Sequence, residues 1–260
     1  MRRQLQPAMA RQRFRRVDVH RPDLRIPFPP QFAARLTGRT ALAVQRRAKY
    51  LLVPLSSGET LLVHLGMTGW FAITRGRMAP GRHDHVVFQM SSGAIVTFSD
   101  PRRFGLMDLI PRGELERHPA LAALGPEPLS AGFNASVLAR AVRRKKTSLK
   151  VALLDQGVVA GLGNIYAAEA LHVARLSPSR RASTIASPSG EPRDAAVRLV
   201  SAIKRVLTDA ITRRAEAYTG GRFRVYDREG EHCRRTGCAG AIRRRTQAGR
   251  STFYCPVCQR

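Results

Sequence analysis

Among 260 residues there is no cysteine before position 233, and there are only 18 acidic side chains, five lysines and one tryptophan. No window approaches the roughly 18 uninterrupted apolar residues that a membrane span needs, which argues against an integral helical membrane protein. The opening Met1-Arg2-Arg3-Gln4 is basic but has no apolar stretch behind it, so it does not read as a secretory signal. A cysteine-free body of more than two hundred residues does not point to an oxidising compartment, and the expected location is the cytoplasm. Hydrophobic residues at 43% and a mean hydropathy of -0.23 exclude a mostly disordered chain. The length allows one large domain or two smaller ones, each able to bury a core.

What the chain has in excess is positive charge. Forty-five basic against 18 acidic residues give +27 and a pI near 11.6. Such an excess speaks to partners rather than to fold, and its natural partner is a polyanion. Nucleic acid comes first. An acidic membrane surface comes second, because no long basic amphipathic helix with an aromatic face is present.

All four cysteines lie in the last 28 residues. Cys233 and Cys238 are separated by four residues, Cys255 and Cys258 by two, and the pairs by sixteen. Disulfides are the alternative, but two close pairs joined by a hairpin-length spacer fit a tetrahedral four-cysteine zinc ribbon. Four ligands leave no open coordination position, so the expected ion is structural. From Arg222 to Arg260 ten arginines face Asp227, Glu229 and Glu231, the surface of a nucleic-acid finger.

The first half reads as strands. Leu42 to Pro54 and Thr60 to Leu65 are divided by Ser56-Ser57-Gly58; His85 to Met90 and Ala94 to Phe98 flank Ser91-Ser92-Gly93; Gly105 to Ile110 adds another. Short antiparallel strands with glycine-bearing turns predict a β-sandwich or small barrel. Pro111 to Pro128, with four prolines, reads as a linker. The second half reads as helices: one capped by Asn134 and running to about Arg144, one from near Thr147, one from about Asn164, and one over Asp194 to Ala217 with an apolar stripe. The glycine-rich segment Gly157 to Gly163 lacks the Lys-Ser/Thr ending of a nucleotide loop. It reads either as a plain helix-helix turn or as a close-approach site, where the amides of Asn164 and Ile165, with Lys150, grip a backbone phosphate.

Several stretches taken together carry a resemblance. They are Gln45-Arg46-Arg47-Ala48-Lys49-Tyr50, His64-Leu65-Gly66-Met67-Thr68-Gly69, His83-Asp84-His85-Val86, Asp100-Pro101-Arg102-Arg103-Phe104-Gly105, Leu124-Gly125-Pro126-Glu127-Pro128-Leu129, Leu153-Leu154-Asp155-Gln156 through Gly161-Leu162-Gly163-Asn164, and Gln247-Ala248-Gly249-Arg250 through Cys255. In these the chain resembles the formamidopyrimidine-DNA glycosylase family, bacterial base-excision enzymes that remove oxidised purines.

The resemblance implies an α+β protein: an N-terminal antiparallel β-sandwich (1–112), a linker (113–128), a helix–two-turns–helix DNA-binding domain (129–221) and a zinc finger (222–260), holding DNA in the cleft between domains. It implies a monomer acting on double-stranded DNA with oxidised bases or abasic sites, and one structural zinc on Cys233, Cys238, Cys255 and Cys258. Lys49, read as a strand residue, resembles the lysine assigned proton donation in β-elimination. Arg250 resembles the arginine linked to δ-elimination. Met67, Arg102 and Phe104 resemble the wedge that fills the stack when a nucleotide swings out. His83, Lys145, Lys150 and Asn164 resemble phosphate-positioning contacts. A catalytically inactive damaged-DNA binder is the alternative function; a zinc-ribbon RNA-binding protein explains charge and cysteines but not the Met67/Arg102/Phe104 pattern.

Three departures stand out. The family begins Met-Pro-Glu-Leu-Pro-Glu, and the exposed proline amine attacks the sugar; here Met1-Arg2-Arg3-Gln4-Leu5 aligns inside the family's first helix. A start codon placed at an internal methionine is the expected cause. The segment from Thr212 to Val225 is shorter than the family's Gly/Ser-rich loop, which argues against a strong 8-oxoguanine preference and leaves abasic and formamidopyrimidine lesions. The first cysteine pair has four intervening residues instead of two. The in-frame codons before Met1 are expected to encode Pro-Glu-Leu-Pro-Glu about nine codons upstream. Borohydride should trap that extended protein on abasic DNA and fail to trap the chain beginning at Met1; efficient trapping of the latter would identify a different nucleophile.

Overall fold

The computed structural model describes residues 1–76, 79–212 and 223–260. The chain forms two compact units, Met1–Ala122 and Ala123–Arg260. The first contains α1 (Arg2–Met9), β1 (Gln12–Val19), α2 (Phe32–Leu36), β2 (Thr40–Ala41), β3 (Gln45–Arg47), β4 (Tyr50–Pro54), β5 (Thr60–His64), β6 (Trp70–Arg75), β7 (Asp84–Met90), β8 (Ala94–Ser99), β9 (Leu106–Ile110) and a short α3 (Pro119–Ala122). The strands form a five-stranded sheet of order β2-β1-β7-β8-β6 and a four-stranded sheet of order β3-β4-β5-β9, antiparallel throughout.

The period-2 rule builds the core. Leu51 and Val53, Leu61 and Val63, and Met107 and Leu109 turn inward, where they share a cluster with Phe14, Phe88, Val96 and Phe98 of the opposite sheet. Leu52, Leu62 and Ile110 turn the other way and are covered by Leu115, Ala120 and Leu121 from the segment after β9. Both faces of this sheet are thus buried, which is why Thr60–His64 reads as a nearly continuous apolar run.

Leu42 to Pro54 is not one strand. It breaks at Ala48-Lys49, a two-residue turn in which Ala48 takes φ 51, so Lys49 stands on a hairpin turn and not on a strand. The expected linker is also more than a tether, since it carries a 3-10 turn at Leu115–Arg117 and α3. β1 and β6 escape sequence reading because each buries little: β1 buries only Phe14 and Val17 among charged residues, and β6 only Phe71, with Trp70 and Ile73 exposed.

The second unit contains α4 (Ala135–Val142), α5 (Leu149–Leu154), α6 (Asn164–Ala174), α7 (Asp194–Thr212) and the hairpin β10 (Arg243–Gln247) and β11 (Arg250–Tyr254). Asn134 caps α4 through its Oδ1, which accepts the Val137 N–H at 2.9 Å. Helix α6 ends where Arg175 turns left-handed (φ 60) and the Leu176 N–H closes on the Leu171 carbonyl at 3.0 Å. Phe133, Leu138, Leu149, Leu153, Leu171, Leu199 and Ile203 share one core. The stripe on α7 is buried as far as Ile203, while Ile211 is exposed. Its expected end at Ala217, most of the Thr212–Val225 segment and the boundary at 221/222 lie outside the described residues. Among the described residues no helix is long and apolar enough to cross a membrane.

Replacing Asn134 by alanine should destabilise the protein by about 0.5–2 kcal/mol in urea unfolding at constant m-value. No change would mean that the cap carries no stability.

Candidate nucleic-acid interface

In the first unit, two turns are pressed together by glycine and by one buried carboxylate. Gly66 lies at φ 69, and a Cβ there would stand 2.5 Å from the Phe104 carbonyl carbon, so only glycine permits the backbones to touch. Asp100 is fully buried. Its Oδ1 accepts the Thr68 hydroxyl at 2.5 Å and its Oδ2 accepts the Gly105 N–H at 2.7 Å. The Arg102 N–H in turn donates to Thr68 Oγ1 at 3.3 Å. A third turn joins them, for the Asp100 N–H donates to the His83 carbonyl at 3.0 Å and His85 Nε2 donates to the Asp100 carbonyl at 2.8 Å.

What these interlocked turns present outward is unusual for loops: Met67 at 70% exposure and Phe104 at 43%, with the Arg102 guanidinium 4.6 Å above the Phe104 ring. Large apolar side chains on fixed turns, sharing a patch with a cation, mark a contact surface rather than a core. The structure therefore brings Met67, Arg102, Phe104 and His83 to one set of turns. The sequence reading had Asp100 only as part of a motif; its role as their common anchor is a buried polar contact across 32 residues, which no local pattern reveals.

Lys49 is exposed on its turn, and the neighbouring Arg46 Nη1 donates to the Ala48 carbonyl at 2.9 Å. Strand pairing sets Tyr50 opposite His64, with ring centroids 5.1 Å apart. His64 Nδ1 accepts the Gly66 N–H at 3.1 Å, which leaves Nε2 to carry the proton. Burial first, then the charges of Lys49 and Arg25, hold its pKa below the usual histidine value. A neutral imidazole N–H beside two cations is a place suited to an anion. His64, too, was legible only as a motif letter; its register opposite the lysine-bearing turn is the signal.

In the second unit the hairpin between β10 and β11 turns through Ala248 (φ 47) and Gly249 (φ 70), and Arg250 projects exposed beside that tip. Lys150 is not exposed at all. It is fully buried on α5, and its Nζ donates to the Ser251 carbonyl at 2.9 Å and to Thr252 Oγ1 at 2.7 Å. Asn164, first residue of α6, donates from Nδ2 to the same Ser251 carbonyl at 3.0 Å. Burial, and then Arg250, push the Lys150 pKa down to about 8, so it stays charged at neutral pH. Lys150, expected to contact a phosphate, is thus buried against the strand that carries Arg250. Lys145 stands apart from this group: its Nζ donates to Asp155 Oδ2 at 2.8 Å and thereby holds that carboxyl below the usual range. Gln156 stitches the glycine-rich turns, taking the Gly161 N–H at 2.9 Å and donating to the Leu154 and Leu162 carbonyls at 3.0 and 3.1 Å.

Cys233, Cys238, Cys255 and Cys258 bring their sulfurs within 4.8 Å of one another. Cys233 and Cys258 Sγ are 3.8 Å apart and Cys238 and Cys255 Sγ 3.6 Å, too far for disulfides and close to the tetrahedral edge of about 3.8 Å that metal–sulfur bonds of ~2.3 Å generate. A Cβ on Gly240 would meet Cys255 Sγ at 2.6 Å, so that glycine admits the thiolate. The four can hold one metal ion. Glu169 of α6 seats the chain entering this finger, its carboxylate accepting the N–H groups of Arg224, Val225 and Tyr226 at 2.8–3.0 Å.

The formamidopyrimidine-DNA glycosylase N-terminal domain matches residues 1–107, and the H2TH domain of the same enzymes matches residues 124–220. A formamidopyrimidine-DNA glycosylase of Rhodopseudomonas palustris strain HaA2 is 54% identical over 279 residues, covering 98% of this chain and 95% of that one. The crystal structure of the Thermus thermophilus MutM (Fpg) protein superposes with a TM-score of 0.82 at 38% identity, over 99% of this chain and 95% of that one. The Lactococcus lactis enzyme non-covalently bound to DNA containing an AP site gives a TM-score of 0.86 at 28% identity, over 100% and 96%.

Lys150→Met should strand the Thr252 hydroxyl in a buried site and leave the Ser251 carbonyl to the Asn164 amide, at a cost of about 1–3 kcal/mol. Hydrogen exchange should show lost protection at the amides of β11. Unchanged stability and protection would mean that Lys150 does not support this strand.

Proposed function

Because the chain belongs to the formamidopyrimidine-DNA glycosylase family, we propose that it is a base-excision repair glycosylase with abasic-site lyase activity, releasing oxidised purines from double-stranded DNA, formamidopyrimidines foremost. The observation that carries this reading is the interlocked pair of turns with Met67, Arg102 and Phe104 on their outer surface. Everting a nucleotide costs a few kcal/mol of stacking and pairing, and an apolar wedge filling the gap offsets part of that. Met67 and Phe104 supply the wedge, and Arg102, stacked on Phe104, supplies a cation to the strand.

Lys49 and His64 of the first unit, and Arg250 and Asn164 of the second, are each suited to contact backbone phosphates. Lys150 does not need to reach a phosphate itself, because it acts through the Ser251 carbonyl. Lys49, exposed on a tight turn, is the proton donor for β-elimination, and Arg250 serves δ-elimination, as the family resemblance implies. The covalent step on the sugar belongs to the family's Pro-Glu segment. Zinc is the ion of the four-cysteine site: all-thiolate donors suit it, and a closed tetrahedron gives it a structural role in stiffening the finger. The protein works in the cytoplasm as a monomer. The shared name of its relatives favours the enzyme over a non-catalytic binder.

Two measurements test this reading. Met67→Ala and Phe104→Ala should slow eversion of an intact oxidised base about tenfold or more, read by 2-aminopurine fluorescence, while abasic-site affinity changes much less because no base has to be moved. Equal losses on both substrates would mean that these residues bind DNA without acting as a wedge. Arg250→Ala should lower the slope of log K against log salt by about one. Adding Lys150→Met to Arg250→Ala should weaken binding little further; additive losses would make Lys150 an independent contact.

A further inference from the structure

Four thiolates on one divalent ion carry a net charge of about −2, and this centre sits in a largely apolar cluster with Ala168, Val225, Ile242 and Phe253. Such a centre needs hydrogen-bond donors aimed at its sulfurs. The finger itself supplies backbone amides, those of Arg235 to Cys233 and of Val257 and Cys258 to Cys255. One donor comes from outside it. His172, on the last turn of α6 and fully buried, has Nε2 3.2 Å from Cys233 Sγ. Its Nδ1 is buried without a partner, so a second proton there would have no acceptor, and the ring's single proton belongs on Nε2, facing the sulfur. Reciprocally, Arg235 reaches out of the finger. Its guanidinium donates to the His172 carbonyl, approaches the Val173 carbonyl at 3.5 Å, and hydrogen-bonds Cys258.

We propose that His172 is a positioning residue of the metal centre, donating its Nε2–H to the Cys233 thiolate so that the ion is retained and the finger stays locked to α6. The consequence reaches the anion site. Helix α6 holds the finger at three levels: Asn164 at the hairpin tip, Glu169 at its entry segment, and His172 at the metal knuckle. Loss of the sulfur contact therefore loosens the same body that carries Arg250. Hydrogen bonding also lowers the nucleophilicity of the thiolate, so the contact shields Cys233 from electrophiles.

This inference rests on zinc as the ion of the four-cysteine site, and zinc content per chain measures that premise separately. The experiment compares the zinc-loaded wild-type chain with His172→Phe, which keeps ring volume but has no donor, and His172→Gln, whose Nε2 can replace the imidazole donor. Zinc transfer to a colorimetric chelator should be about 10- to 100-fold faster from His172→Phe. It should return toward the wild-type rate in His172→Gln. Cobalt-substituted His172→Phe should show a shifted thiolate-to-metal charge-transfer band. If His172→Phe does not fold, His172→Leu against His172→Gln makes the same comparison. Equal release rates with and without the donor, at one zinc per folded chain, would overturn the proposal. Wild-type protein that folds without zinc would instead overturn the premise.

Discussion

A buried ammonium, that of Lys150, helps to hold the tip of the cysteine hairpin to the helices. Taking a charge out of water costs several kcal/mol unless good acceptors receive it, and Lys150 has two, the Ser251 carbonyl and the Thr252 hydroxyl. That expenditure makes sense as positioning. Ser251 also takes the Asn164 amide, so the residue adjoining Arg250 is clamped by donors from two different helices. Arg250 keeps its own side-chain freedom but its backbone root does not wander. The two cations also repel, which adds to burial in lowering the Lys150 pKa. A phosphate drawn to Arg250 would relieve that repulsion, so anion binding and the seating of the hairpin reinforce one another.

The first unit solves the same problem with the opposite sign. Asp100 is a buried carboxylate surrounded by donors, and it fixes three turns that carry the exposed Met67, Arg102 and Phe104. Glycine completes the device in both places. At Gly66 it lets two backbones touch, and at Gly249 it allows the left-handed tip of the hairpin. Hydrophobic packing alone would hold the sheets and helices, but it is non-directional and would not set a turn to within an ångström. Directional bonds to buried charges do.

How far the sequence could be read follows from where each signal lies along the chain. The four cysteines were legible as a metal set because their spacing is local and their chemistry specific. Strands β4, β5, β7, β8 and β9 were legible because they are buried and apolar, whereas β1 is mostly charged and β6 buries only Phe71, so neither shows a clean inward-outward alternation. The turn at Ala48-Lys49 carries none of the Asn-Gly or Asp-Gly chemistry that marks hairpins, so Lys49 was assigned to a strand. The direction of Lys150 was illegible for a different reason. It sits between core residues Leu149 and Ala152 on a short helix, and its partners come about a hundred residues later. Asp100, His64, Glu169 and His172 share that difficulty, since each is defined by a contact that only the fold creates.

Net charge and positioned contacts therefore divide the labour. A charge of +27 attracts any polyanion, but in physiological salt its field between exposed groups decays over about 8 Å and carries no information about a damaged base. It is mostly arginine charge: of the five lysines, Lys150 is buried, Lys145 is paired with Asp155, and Lys204 donates to the Ser130 carbonyl. Discrimination has to come from groups whose place is fixed before the ligand arrives, because ordering them on binding would consume the energy needed to move a base. The buried bonds to Asp100 and from Lys150 supply that order in advance. A chain with the same charge but without those two anchors would keep its attraction for a polyanion and lose the preset order of these turns and of the hairpin.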